Sequence, residues 1–266
     1  MYENKWSAAT PGCLVFLIDQ STSMSVDGKA ANAAKVIQSS ILDVLISSMK
    51  GEDIRPRANV VVIGYGGANE AKVIRHGWIE EWAEDLLAAK DNGTCIIPAE
   101  ADGLTPMAEA FSLAKDIVDT FIKDRASKNA GISAPIVINI TDGMPTIPRE
   151  QGDMIIGEIG PEADSIAKNA AEALMSTSTP DGNVLLMNAH ISNEGSEIVC
   201  PSDLSSTSGS HEAEFLFSIS SPLTPKMITM GKNLGFNVSE GCKGFVANAR
   251  KSTLPRFIEM GSTPTK

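Results

Sequence analysis

The segment Cys13-Leu14-Val15-Phe16-Leu17-Ile18-Asp19-Gln20-Ser21-Thr22-Ser23 changes character once, between Ile18 and Asp19. Its first part is continuously apolar, with no alternation, and is preceded by Pro11. A run of this kind reads as a strand buried on both faces, the usual state of a strand in a parallel sheet. Its second part is polar and follows with no intervening turn. Loops after the carboxyl ends of parallel strands gather in one crevice, where ligands bind. Residues two apart in an extended segment point the same way, so Asp19, Ser21 and Ser23 present three oxygen-bearing side chains together.

Outward from this segment, strands and helices alternate. Residues 29–49 carry Ala30, Ala33, Ala34, Ile37, Ile41, Val44 and Leu45 at helical spacing. The β-branched run 58–65 predicts a second strand. Gly66-Gly67-Ala68-Asn69 supplies a turn into a weaker strand at 72–76. A short helix is expected at 79–90, and a longer one at 107–122 with Pro106 in its first turn. Strands follow at 135–141, 183–191 and 244–248, and helices at 161–176, 225–235 and 254–260. The expectation is an α/β fold: a doubly wound, mostly parallel six-stranded sheet with helices on both faces. No linker divides the chain. Residues 1–12 are expected to be an N-terminal extension, 13–261 a single domain, and 262–266 a tail. Within the domain, 192–224 reads as a long Ser-, Glu- and Pro-containing loop with order only at 214–219, bordering the crevice and tuning partner choice.

Composition narrows the function classes. The 266 residues carry 33 acidic against 22 basic side chains, a formal charge of −11. A broad basic face for nucleic acid is therefore not expected. No apolar run approaches a membrane span, and Met1-Tyr2-Glu3-Asn4-Lys5 lacks the layout of a secretory signal. A soluble cytoplasmic protein without membrane contact is the expectation. Cys13, Cys95, Cys200 and Cys242 are scattered without a C-x-x-C pair, so free thiols are expected.

A second cluster of oxygen donors accompanies the first. The strand at 135–141 ends in Asp142-Gly143, and Thr105 lies at the start of a helix in Gly103-Leu104-Thr105-Pro106. Asp19, Ser21, Ser23, Thr105 and Asp142 form an all-oxygen set that suits Mg²⁺, with Mn²⁺ and Ca²⁺ as alternatives, far better than zinc. Neutral hydroxyls as inner ligands leave Mg²⁺ electrophilic and in need of an anionic ligand from outside. Each motif alone has a plainer reading: D-x-S-x-S as a helix N-cap, Asp-Gly as a turn, Thr-Pro as a cap with a first-turn proline. Their joint occurrence at two strand tips and one helix start favours the metal.

Asp19-Gln20-Ser21-Thr22-Ser23 resembles the D-x-S-x-S signature of the metal-ion-dependent adhesion site (MIDAS) in von Willebrand factor A (VWA) and integrin I domains. Leu104-Thr105-Pro106-Met107 looks like the threonine motif of that family, and Ile140-Thr141-Asp142-Gly143 like its fourth-strand aspartate motif. The likeness runs over about 14–260, by element order alone beyond Ser192. It implies a Rossmann-like VWA fold in which Ser21, Ser23 and Thr105 bind the ion directly while Asp19 and Asp142 act through waters. Leu104 departs from the glycine common before the threonine. Absence of a secretion signal makes the chain similar to stand-alone intracellular bacterial members, including tellurite-resistance-associated ones. Those members imply a scaffold in stress or defence, with a protein kinase, PP2C-type phosphatase or MoxR-type AAA+ ATPase as partner.

Enzymatic readings find less support. There is no G-x-S-x-G elbow and no phosphate-binding G-x-x-x-x-G-K-[ST] loop. His76, His190 and His211 have no catalytic context; His190 ends a strand near the crevice, where a structural or solvent-facing role is expected. The runner-up is a metal-dependent phosphohydrolase on a similar sheet. It would need a second carboxylate beside Asp19, where Gln20-Ser21 stand instead, and a well-placed lysine. The expectation is a non-catalytic module that binds a partner protein's Glu or Asp through the metal.

Overall fold

The computed structural model describes residues 2–152, 154–192, 195–203, 205 and 210–262. Its centre is a mostly parallel sheet of β1 (Gly12–Gln20), β2 (Ala58–Gly66), β3 (Glu70–Trp78), β4 (Ile136–Thr141), β5 (Leu185–His190), β6 (Ile198–Val199) and β7 (Phe245–Ala247), in the order β6-β7-β5-β4-β1-β2-β3. β1 lies between β2 and β4, parallel to both. The edge strands β3 and β6 run antiparallel to their neighbours.

β1 is buried along its whole length, as its unbroken apolar run requires. Alternate side chains enter two separate cores. Leu14, Phe16 and Ile18 pack with α1 (Lys29–Ser48), α2 (Ala83–Asn92) and α7 (Thr253–Ser262). Cys13, Val15 and Leu17 pack with α3 (Met107–Ser127), α4 (Pro161–Met175) and α5 (His211–Ser218). The remaining helix, α6 (Pro225–Asn233), joins the first core through Met227.

The sheet has seven strands where six were expected. The additional strand is β6, only two residues long, bonded to β7 at Ile198↔Ala247 and Val199↔Val246. Two residues carry no periodic pattern, so the segment reads as loop from sequence. The same stretch holds α5, which buries Ala213, Phe215, Leu216 and Phe217 and is capped by Ser210 accepting from the Ala213 amide. Residues 193–194, 204 and 206–209 of the expected loop, with Met1 and 263–266 of the termini, lie outside the described residues.

A hairpin not anticipated from the sequence follows β4. Ile147–Gln151 pairs antiparallel with Met154–Glu158, and nearly every residue in it is exposed. An element exposed on both faces has no need of the period-2 alternation by which strands are recognised. Met154, Ile155 and Ile156 are among its exposed residues. Its base is fixed by Arg149, which pairs with Glu158 of the hairpin and Glu162 of α4. Among the described residues, no helix is long and apolar enough to cross a membrane, and all four cysteines are free.

The amino-terminal segment is tied to the sheet at the end opposite the strand tips. Trp6 is buried in the first core. The buried carboxylate of Asp181 accepts from the Glu3 amide at 2.8 Å, the Asn4 amide at 3.0 Å and the Ala134 amide at 3.1 Å. Asp181→Ala is expected to cost about 1–3 kcal/mol by stranding these donors. Faster hydrogen exchange at residues 3, 4 and 134 would verify it; unchanged exchange would show that the carboxylate is not what holds the segment.

Candidate metal centre

Parallel pairing of β1 with β4 brings their carboxyl ends side by side, with Ile18 opposite Ile140 as the last paired position. One residue further along, Thr141 donates its hydroxyl to Asp19 Oδ2 at 2.5 Å. Asp19 Oδ1 accepts the Ser21 amide at 2.8 Å, an Asx turn that folds the chain back over its own carboxylate. Asp19 is thus fully buried with both oxygens engaged.

The hydroxyls continue the chain of contacts. Ser23 Oγ donates to Asp142 Oδ1 at 2.6 Å. A hydroxyl has one proton to give, so Ser23 is the acceptor in its 3.1 Å contact with Ser21 Oγ. Asp142 Oδ2 is held by Lys29 Nζ at 2.8 Å. Four of the five expected residues, Asp19, Ser21, Ser23 and Asp142, therefore form one connected cluster at two adjacent strand tips.

Thr105 reaches the cluster through its loop. The Gly103 carbonyl accepts both the amide and the hydroxyl of Thr22, each at 3.2 Å. The Asp102 amide donates to Gln20 O at 2.7 Å, and the Leu104 amide to Gly67 O at 2.8 Å. Gly103 has φ +73°, and a Cβ there would lie 1.9 Å from the Gly67 carbonyl oxygen, so only glycine permits this approach. Thr105 itself is clamped by Thr146, whose hydroxyl accepts its amide at 2.9 Å and whose amide donates back at 3.0 Å. These inter-loop hydrogen bonds are made by Asp102, Gly103 and Leu104 with Gln20, Thr22 and Gly67, and none of them uses the Thr105 hydroxyl. Leu104 fits the space above Gly157 of the hairpin, where a Cβ would meet its Cδ2 at 2.9 Å.

The capping readings of these motifs do not describe the structure. Ser21 precedes a 3-10 turn without making a side-chain cap bond, and α1 is preceded by Gly28 in the left-handed region. The position before α3 is Pro106, not Thr105. Ser21 and Thr105 are free of capping duty.

Two participants were not expected from the sequence, Thr141 and Lys29. Thr141 is an ordinary strand residue until the β1–β4 register places it against Asp19. Lys29 lies well beyond the D-x-S-x-S motif, and only the turn through Asp27 (φ +54°) and Gly28 (φ +69°) aims it at Asp142. His190 is buried beside Thr141 rather than solvent-facing, and burial lowers its pKa, keeping it neutral. Among the described residues, no three His, Cys, Asp or Glu side chains converge as a metal cluster. The donor set here is instead two carboxylates and a row of hydroxyls, the all-oxygen chemistry that fits a hard divalent cation.

No family model matches the chain, and no curated protein matches it. Similar solved structures include the pilus adhesin SpaC from Lactobacillus rhamnosus GG in its open conformation, at 14% identity and TM-score 0.45, covering 71% of this chain and 25% of that one. The PilB minor pilin from Streptococcus sanguinis is 13% identical at TM-score 0.45, covering 71% and 51%. The vWF domain of the type V pili tip protein Mfa5 from Porphyromonas gingivalis is 19% identical at TM-score 0.35, covering 60% and 48%. The chain spans about half or less of the length of each. These findings overturn the family assignment made above. The similar structures named here are a pilus adhesin, a minor pilin and a vWF domain that matches only in part, and none of them points to an adhesion-site family of the stand-alone intracellular or tellurite-resistance type.

Burial raises the Asp19 carboxyl from its ordinary 3.8 to about 6, against hydrogen bonds from Thr141 and Ser21 that lower it, while the nearby Asp142 charge adds to the rise. A folded-state pKa above the unfolded value means that stability is fully present below about pH 4 and is lost as pH rises through about 6. Ionised Asp19 thus costs the metal-free fold up to about 3 kcal/mol at neutral pH. Asp19→Asn is expected to raise Tm by a few degrees at pH 7 in EDTA, with the gain disappearing by about pH 4. A lowered Tm at pH 7 would show that the charge is stabilised by its surroundings instead.

Proposed function

We propose that this chain is a non-catalytic binding module in which a divalent cation, Mg²⁺ by preference, is held by Ser21, Ser23 and Thr105 with Asp19 and Asp142 behind them. A Glu or Asp carboxylate of a partner protein completes the coordination. The observation that carries this reading is the connected Asp19–Ser21–Ser23–Asp142 cluster at the tips of β1 and β4. Both oxygens of each carboxylate already accept hydrogen bonds from the protein. Such carboxylates orient hydroxyls and ordered waters rather than seize the ion, which is the part played by outer ligands in metal sites.

Bound there, the cation would supply Lewis acidity toward an anionic oxygen. Neutral inner ligands leave that acidity undiminished, and an external carboxylate is the matching base. A phosphohydrolase would require an accessible nucleophile, and Asp19 is fully buried. The chemistry of the site supports a partner protein that offers a carboxylate, and nothing finer about that partner.

Wild type, Asp19→Ala and Ser23→Ala are expected to separate cleanly in Mn²⁺ titrations followed by the electron paramagnetic resonance of free Mn²⁺. Wild type should bind one equivalent, and each variant at least tenfold more weakly. In parallel, immobilised protein should retain a partner from lysate in Mg²⁺, release it into EDTA, and fail to retain it as Asp19→Ala. Equal Mn²⁺ binding by all three proteins, or retention indifferent to both metal and Asp19, would sink the proposal.

A further inference from the structure

We infer that Lys29 sets the charge of this site so that cation and carboxylate ligand bind as a coupled pair; the inference rests on the metal reading above. Lys29 opens α1, a helix of 20 residues with no acidic residue in its first turn. A cation at a helix N-terminus faces the positive end of the helix dipole, an unfavourable placement. Its ammonium is 2.8 Å from Asp142 Oδ2, with Lys29 17% exposed and Asp142 fully buried. Of the lysine–carboxylate pairs among the described residues, the others (Lys72–Glu100, Lys115–Asp119, Lys128–Asp124 and Lys168–Glu172) are much more exposed. A buried pair is a poor stabilising device, because desolvation offsets its attraction. Two local rules are thus broken at one residue, which is where a sequence serves something other than stability.

The consequence is a matter of charge. Asp19 and Asp142 bring two negative charges and Lys29 removes one. A divalent cation then leaves the site with one net positive charge, and the nearest remedy is an anion. Without Lys29 the loaded site would be neutral. Lys29 therefore opposes the bare metal and favours the metal together with a carboxylate. It is a positioning and charge-setting residue, acting on the ion through Asp142.

The test is Mn²⁺ titration of wild type, Lys29→Met and Lys29→Arg, each with and without acetate. Lys29→Met is expected to bind Mn²⁺ about tenfold or more tightly than wild type, from the loss of a like charge paired with Asp142. Acetate should tighten Mn²⁺ binding to wild type and to Lys29→Arg, and leave Lys29→Met unchanged. A gain in metal affinity cannot come from damage to the fold, and Lys29→Arg controls for the pairing itself. Equal Mn²⁺ affinity and equal acetate response in wild type and Lys29→Met would overturn the role of Lys29 while leaving the metal site standing. Failure of wild type to bind Mn²⁺ at all would remove the metal reading, and this inference with it.

Discussion

The parallel pairing of β1 with β4 is the constraint from which the site follows. The two strands are far apart in sequence, and only their register sets Thr141 against Asp19 and Asp142 within reach of Ser23. That register is held by burial on both sides of the sheet: alternate side chains of β1 enter two different cores, so a one-residue slip would exchange their occupants. The geometry of a polar cluster at the surface is thereby maintained by apolar packing beneath it. A third element, the loop carrying Thr105, is added by backbone hydrogen bonds to the ends of β1 and β2, across a gap that only Gly103 can span.

Legibility from sequence followed burial. The central strands declare themselves through continuous apolar runs, and the helices α1 and α3 through their periodic faces, because each must fill a core. The hairpin at residues 147–158 is exposed on both sides and carries no such signature. β6 is too short to carry one, and it turned six expected strands into seven. At the site, Asp19, Ser21, Ser23 and Asp142 were visible because strand tips are where parallel sheets collect polar residues. Thr141 and Lys29 were not, since their roles come from register and from a left-handed turn rather than from residue type or spacing.

The family reading failed for a related reason. It rested on three short motifs made of Asp, Ser, Thr, Gly and Pro, which also populate turns and helix starts in unrelated proteins. Such motifs can identify a local arrangement of oxygen atoms without identifying descent. The arrangement and the descent are separate claims. A cluster of hydroxyls and carboxylates at adjacent strand tips has the same chemistry whatever the ancestry of the sheet, and fold-level likeness at TM-scores below 0.5 adds nothing to it.

The energetics point the same way as the geometry. A chain selected for stability alone would not bury Asp19 where its pKa rises to about 6, nor place Lys29 at the start of a long helix to neutralise a second buried carboxylate. Each choice is unfavourable by itself, and apolar or amide side chains of similar size would relieve it. The hydrogen bonds from Ser21, Thr141, Ser23 and Lys29 moderate these costs without removing them. What they accomplish instead is orientation: every carboxylate oxygen in the cluster is fixed by a donor. The folding energy is supplied by the two cores on either side of the sheet, which can tolerate a strained polar tip. Stability thus lies in the layers, while the charges at the strand ends are held and oriented by hydrogen bonds.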